Sequence, residues 1–119
     1  MALFLHFIVA LYIPSEADVF AQSLEFMIED RMEQVEKNRT LQEENQKTIE
    51  ESEEKISILE ESKAHMTDRE IIETDGSIEQ LKLAITNLET RNQTIDSEIE
   101  ELEKQVANLK ARLEENTPK

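Results

Sequence analysis

Residues 78–113 read IEQLKLAITNLETRNQTIDSEIEELEKQVANLKARL, and a seam residue returns at alternating steps of three and four. The positions are Ile78, Leu81, Ile85, Leu88, Asn92, Ile95, Ile99, Leu102, Val106, Leu109 and Leu113, all apolar except Asn92. A helix turns once in about 3.6 residues, so this spacing stacks every one of them on one narrow stripe, the a/d seam of a coiled coil. A stripe that narrow cannot be buried within its own helix. These eleven residues are therefore the candidate interface, and the fold class they define is all-α: an elongated coiled coil that needs a facing helix.

Composition agrees. Charged residues make up 34% and aromatics 4%, with one Gly, two Pro and no Cys or Trp. Too little large apolar area remains for an enclosed core in 119 residues, whereas a long helix needs only its seam. Thirteen basic residues against 28 acidic ones leave a net charge of −15, which repels phosphate backbones and anionic headgroups. Nucleic acid and electrostatic membrane docking are disfavoured as partners. Without Cys there are no disulfides, thiolates or Cys-based zinc sites, and the compartment stays open.

Residues Leu3 to Ile13, LFLHFIVALYI, form an uncharged run of eleven, followed by Pro14 and the small-residue pattern Ser15-Glu16-Ala17. The pattern resembles a secretory signal peptide over residues 1–17. Its n-region carries no Lys or Arg, and His6 lies inside the run. Eleven residues fall short of the roughly twenty needed to cross a bilayer, so no stable membrane span is expected. The chain is secreted if 1–17 is removed, and cytoplasmic if the segment instead packs on a partner. Two sequons, Asn38-Arg39-Thr40 and Asn92-Gln93-Thr94, fall at seam positions, where a glycan would push paired helices apart.

After Pro14, Ser15 as N-cap with Glu16 and Asp18 in the first turn predicts a helix beginning near residue 16. Phe20, Leu24, Met27, Ile28 and Val35 mark one face of it. Up to Met66 the heptads are patchy. Ala21, Ile28, Val35, Gln42, Ile49, Ile56 and Lys63 stand at a, with Leu24, Arg31, Asn38, Asn45, Ser52, Leu59 and Met66 at d. Polar seam residues restrict register at a cost in stability, so about Asn38 to Ser52 should be the loosest stretch.

The two heptad frames are offset by one residue between Met66 and Ile78. There lies the only Gly, in Thr74-Asp75-Gly76-Ser77, followed by the capping-box order Ser77-Ile78-Glu79-Gln80. A break near Gly76 is predicted. The expected organisation is an apolar segment at 1–17, a weak-heptad helix at 18–73, a turn or kink at 74–77, a strong coiled coil at 78–115 and a disordered tail at 116–119.

Two arrangements fit such a break: a continuous kinked rod or an antiparallel hairpin. Pivoting at residues 75 and 76 sets Ile95 against Ile56, but also Leu88 against Lys63, Val106 against Asn45 and Leu109 against Gln42. A strong seam would then face a weak one, so seam matching favours the rod, paired with a second chain.

Mostly β-branched residues at a with mostly Leu at d favour a parallel two-stranded coil, and a single Asn92 at a can bond its equivalent across such a dimer. The pattern resembles the leucine-zipper type of dimerisation helix. In a parallel homodimer Arg91 would face Asp96 favourably and Glu98 would face Glu103 unfavourably. A homodimer is thus allowed, and a hetero-oligomer with a more basic partner edge is the alternative.

No chemistry stands out. His6 and His65 lack metal-ligand companions, and the pairs Glu43-Glu44, Glu50-Glu51 and Glu53-Glu54 read as a solvated face. No phosphate loop or nucleophile triad is present, and no cofactor or catalytic residue is expected. The function expected is non-enzymatic: a coiled-coil scaffold or tether subunit, with a helical-hairpin binding module or a secreted acidic rod as alternatives.

Overall fold

A computed structural model describes residues 15–116. The apolar run at 3–13 and nearly all of the predicted tail lie outside them. Helix α1 spans Glu16–Ser62 and helix α2 spans Asp68–Glu115. A 3-10 turn, Lys63–His65, and two extended residues, Met66 and Thr67, connect them. The described residues are 96% helical, contain no strand and form a rod 78 Å long. One helix of this length spans about 70 Å at ~1.5 Å per residue. The rod is therefore two helices lying side by side, an all-α antiparallel hairpin.

The first helix starts where its sequence says it should. Ser15 Oγ accepts the Asp18 backbone N–H at 3.2 Å, and Glu16 and Asp18 sit at the positive end of the helix dipole.

The reversal falls upstream of the position predicted. It lies at residues 63–67, and α2 runs through Gly76 without interruption. The deciding signal is Thr67-Asp68-Arg69-Glu70. Thr67 Oγ1 accepts the Glu70 N–H at 3.3 Å and donates to the Glu70 carboxylate at 2.9 Å. Met66 and Ile71 occupy the two positions that form a hydrophobic staple around such a cap. Ser77, read as a cap, instead bonds back to the Glu73 carbonyl within the helix at 3.4 Å. Gly76 keeps negative φ, and a Cβ there would meet nothing within 4 Å. It is a tolerated helical glycine rather than a turn residue.

Lys63 closes the end of α1. Its ammonium pairs with Glu60 at 3.0 Å and reaches across the turn to Asp75. The bond to Asp75, then that to Glu60, raises its pKa above the ordinary 10.5. While the two carboxylates are ionised, the contribution of this shift is present below the ordinary lysine value and is lost as pH climbs through the raised one.

Moving the reversal also repairs the pairing that argued against a hairpin. Asn45 lies level with Asn92, and counting outward from that pair sets Ile28 level with Leu109, Val35 with Leu102, Ile49 with Leu88, Ile56 with Leu81 and Leu59 with Ile78. Throughout, an a residue of one helix meets a d residue of the other. The one-residue offset between the heptad frames is the residue taken up by the turn.

Candidate functional site

All eleven predicted interface residues lie on the inner face of α2. Ile78, Ile85, Ile95, Ile99 and Leu109 are buried. Leu81, Leu88, Asn92, Leu102, Val106 and Leu113 are half-buried. What covers them is α1 of the same chain, running antiparallel. The parallel pairing expected from the a/d residue types is not the one this seam makes here. Those preferences concern helices running in the same direction, and a five-residue connection forces neighbouring helices to run in opposite directions.

The half of the interface contributed by α1 was legible only in part. Leu24, Ile28 and Leu109 form one cluster, with Met27, Val106 and Leu113 against it. Val35, Ile95 and Ile99 form a second, with Leu41 and Leu102. Leu24 at 2% and Ile49 at 3% exposure are among the most buried side chains. They stand at d and a of the patchy frame, which therefore holds from Ala21 to the turn.

Between the clusters and the turn sits a polar layer. Asn45, buried at 9% exposure, donates from Nδ2 to Asn92 Oδ1 at 2.9 Å. Asn92 Nδ2 donates to the Gln42 carbonyl at 3.4 Å. Gln42 Nε2 in turn donates to the Asn92 carbonyl at 3.1 Å and to Asp96 Oδ1 at 2.6 Å. Asn92 thus finds an asparagine partner, as its seam position demanded, but one supplied by the other helix of its own chain. Both sequon asparagines, Asn38 and Asn92, are half-buried on the inner faces, and the Asn92 amide is engaged in this layer.

The edges are held by polar contacts of small weight. Arg31, at a seam position, turns outward to donate from Nε to Gln105 Oε1 at 2.9 Å and to pair with Asp30. Arg39 meets Glu103 at 3.1 Å, a half-exposed pair worth about 0–1 kcal/mol. Asp96 and Glu103, expected to face another chain, meet Gln42 and Arg39 of α1 instead. At the open end the Arg112 guanidinium lies 5.8 Å from the centroid of the Phe20 ring.

Away from the seam, several large apolar side chains face solvent. Phe26 and Ile72 are each 72% exposed, and Val19, Ile58 and Leu83 are more than half exposed. Val19 and Phe26 are one heptad apart on the outer face of α1. Ile72 and Leu83, three helical turns apart, share the outer face of α2. Neither pair was singled out in the sequence, because single exposed hydrophobics are unremarkable until the inner face is known.

Among the described residues no cluster of His, Cys, Asp or Glu is placed to hold a metal ion, and no helix is long and apolar enough to cross a membrane. The fold and seam define the class of the molecule: an acidic two-helix antiparallel coiled coil. No family model, curated protein or solved structure matches the chain.

Proposed function

We propose that this protein is a non-enzymatic scaffold or tether subunit that works as a helical-hairpin interaction module. The supporting observation is the division of its apolar surface. The seam of α2 is occupied by α1, while Val19 with Phe26, and Ile72 with Leu83, stay exposed at helical spacing on the outer faces. Anchors one heptad or three turns apart suit an added helix laid along the rod. The acidic surface favours a partner helix with a basic edge, which would give the hetero-oligomer of the two associations the sequence allows. The same charge disfavours nucleic acid.

Isolation of the complex assembled around the full chain tests this reading. The Val19→Glu, Phe26→Glu variant should lose its co-purifying subunits while keeping the helical signal and melting temperature of the parent. Retention of every subunit by that variant, and by Ile72→Glu, Leu83→Glu, would sink it.

A further inference from the structure

The closing turn is built in a way that bears on self-association. Of the residues between the helices, Lys63 to His65 already have near-helical geometry, and Lys63 lies in the right-handed helical region at φ −58°, ψ −29°. Only Met66 (φ −101°, ψ 152°) and Thr67 (φ −71°, ψ 163°) are extended. The Thr67 φ is close to that of a helix and the Met66 φ lies about 40° from it, so rotating the two ψ angles, with a smaller change in the Met66 φ, would carry α1 straight into α2. Nothing in Lys63-Ala64-His65-Met66-Thr67 opposes that, because the segment has no Gly or Pro and no residue of positive φ. What holds the turn are the Thr67 cap on Glu70 and the Met66 N–H to Lys63 carbonyl bond at 3.1 Å.

We infer that a second copy of this chain is a partner of the seam itself: with the turn straightened, two chains pair antiparallel as a swapped dimer. The register makes this possible. Residues level with each other have numbers that sum to 137, so two extended chains related by a two-fold axis between Asp68 and Arg69 restore the same pairing between chains. Ile28 again lies level with Leu109 and Asn45 with Asn92, and Arg39 again comes within reach of Glu103 and Lys63 of Asp75. Exchange of identical contacts is a low-cost route to a dimer, and a short connection invites it.

Charge selects this mode over side-by-side packing of two hairpins. Lateral packing would bring two surfaces of −15 together, whereas the swapped rod has two helices at every point along its length, just as the hairpin has. The remaining obstacle is the heptad offset, five steps from Met66 at d to Ile71 at a where a continuous seam needs four.

That obstacle supplies the test, which is independent of the outer faces used by the proposed function. Deleting Thr67 from the full chain removes the cap and the extra residue together. Sedimentation and small-angle scattering should then give a dimer about 150 Å long, from ~100 helical residues at ~1.5 Å each. The parent chain should give a monomer of hairpin length in dilute solution and a growing share of the long dimer as concentration rises. The Met66→Ala, Thr67→Ala variant, which keeps chain length, should raise the association constant at least tenfold. Either altered chain remaining a monomer, or forming dimers no longer than the hairpin, overturns the inference, as does a parent chain that is monomeric at every concentration.

Discussion

The open end of the hairpin and its middle share one register but use opposite chemistry. At the open end Leu24, Ile28 and Leu109 pack aliphatic side chains together, an interaction that is strong and indifferent to small slips. In the middle Gln42, Asn45, Asn92 and Asp96 exchange hydrogen bonds that add little net energy but tolerate no displacement. A slip of one heptad would set Asn45 against Ile85 or Ile99 and leave its amide buried without a partner. The aliphatic end supplies the stability of the helix pair, and the polar middle supplies its alignment.

Truncation at the open end should have the largest effect. Leu24→Ala is expected to cost about 2–5 kcal/mol, the range for emptying a buried leucine site, and denaturant unfolding of the full chain measures it. A loss below about 1 kcal/mol would mean that the open end frays and contributes little.

A smaller loss is expected in the middle. Asn92→Val removes the acceptor of the buried Asn45 amide and should cost about 1–3 kcal/mol. In a parallel homodimer the same substitution would replace both facing asparagines at once and raise the melting point, so the direction of the shift separates the two pairings. The double change Asn45→Leu, Asn92→Val replaces both partners and should restore or exceed parental stability while loosening the register. Double electron–electron resonance distances across the helices should then broaden into more than one population; a single sharp distance would show that the aliphatic contacts alone fix the alignment.

The smallest effect belongs to Gly76. Its position is helical, outward-facing and open, so Gly76→Ala should stabilise the chain by about 0.5–1 kcal/mol through the cost of glycine in a helix. A destabilising outcome would place a turn there after all.

These expectations also explain what the sequence could and could not reveal. The α2 seam was fully legible because ten of its eleven residues are apolar. The start of α1 was legible because Pro14 and Ser15 leave little choice. The turn was misplaced because Asp75-Gly76-Ser77 carries familiar helix-stopping residue types, while the effective signal, Thr67 three residues before Glu70, holds neither Gly nor Pro. That displacement carried the pairing with it. Measured from residues 75 and 76 the weak frame of α1 does not match the strong frame of α2. Counted from the Asn45–Asn92 bond, its Ile49, Ile56 and Leu59 come level with Leu88, Leu81 and Ile78, and its Asn45 meets the one polar residue of the other seam. The outer apolar pairs could not be told from ordinary surface residues until the structure assigned every other apolar side chain to the inside.

The pairing of α1 with α2 is the claim on which the rest depends, and one distance tests it directly. Glu33 and Lys104 lie level with each other on the outer faces of the two helices, and the chain has no cysteine to interfere with labelling. With spin labels on cysteines at these two positions of the full chain, in dilute solution, the hairpin predicts a separation of about 20 Å, the width of two helices each ~10 Å across. A continuous rod would separate the labels by about 105 Å, from 71 residues at ~1.5 Å each, and a distance in that range would contradict the account.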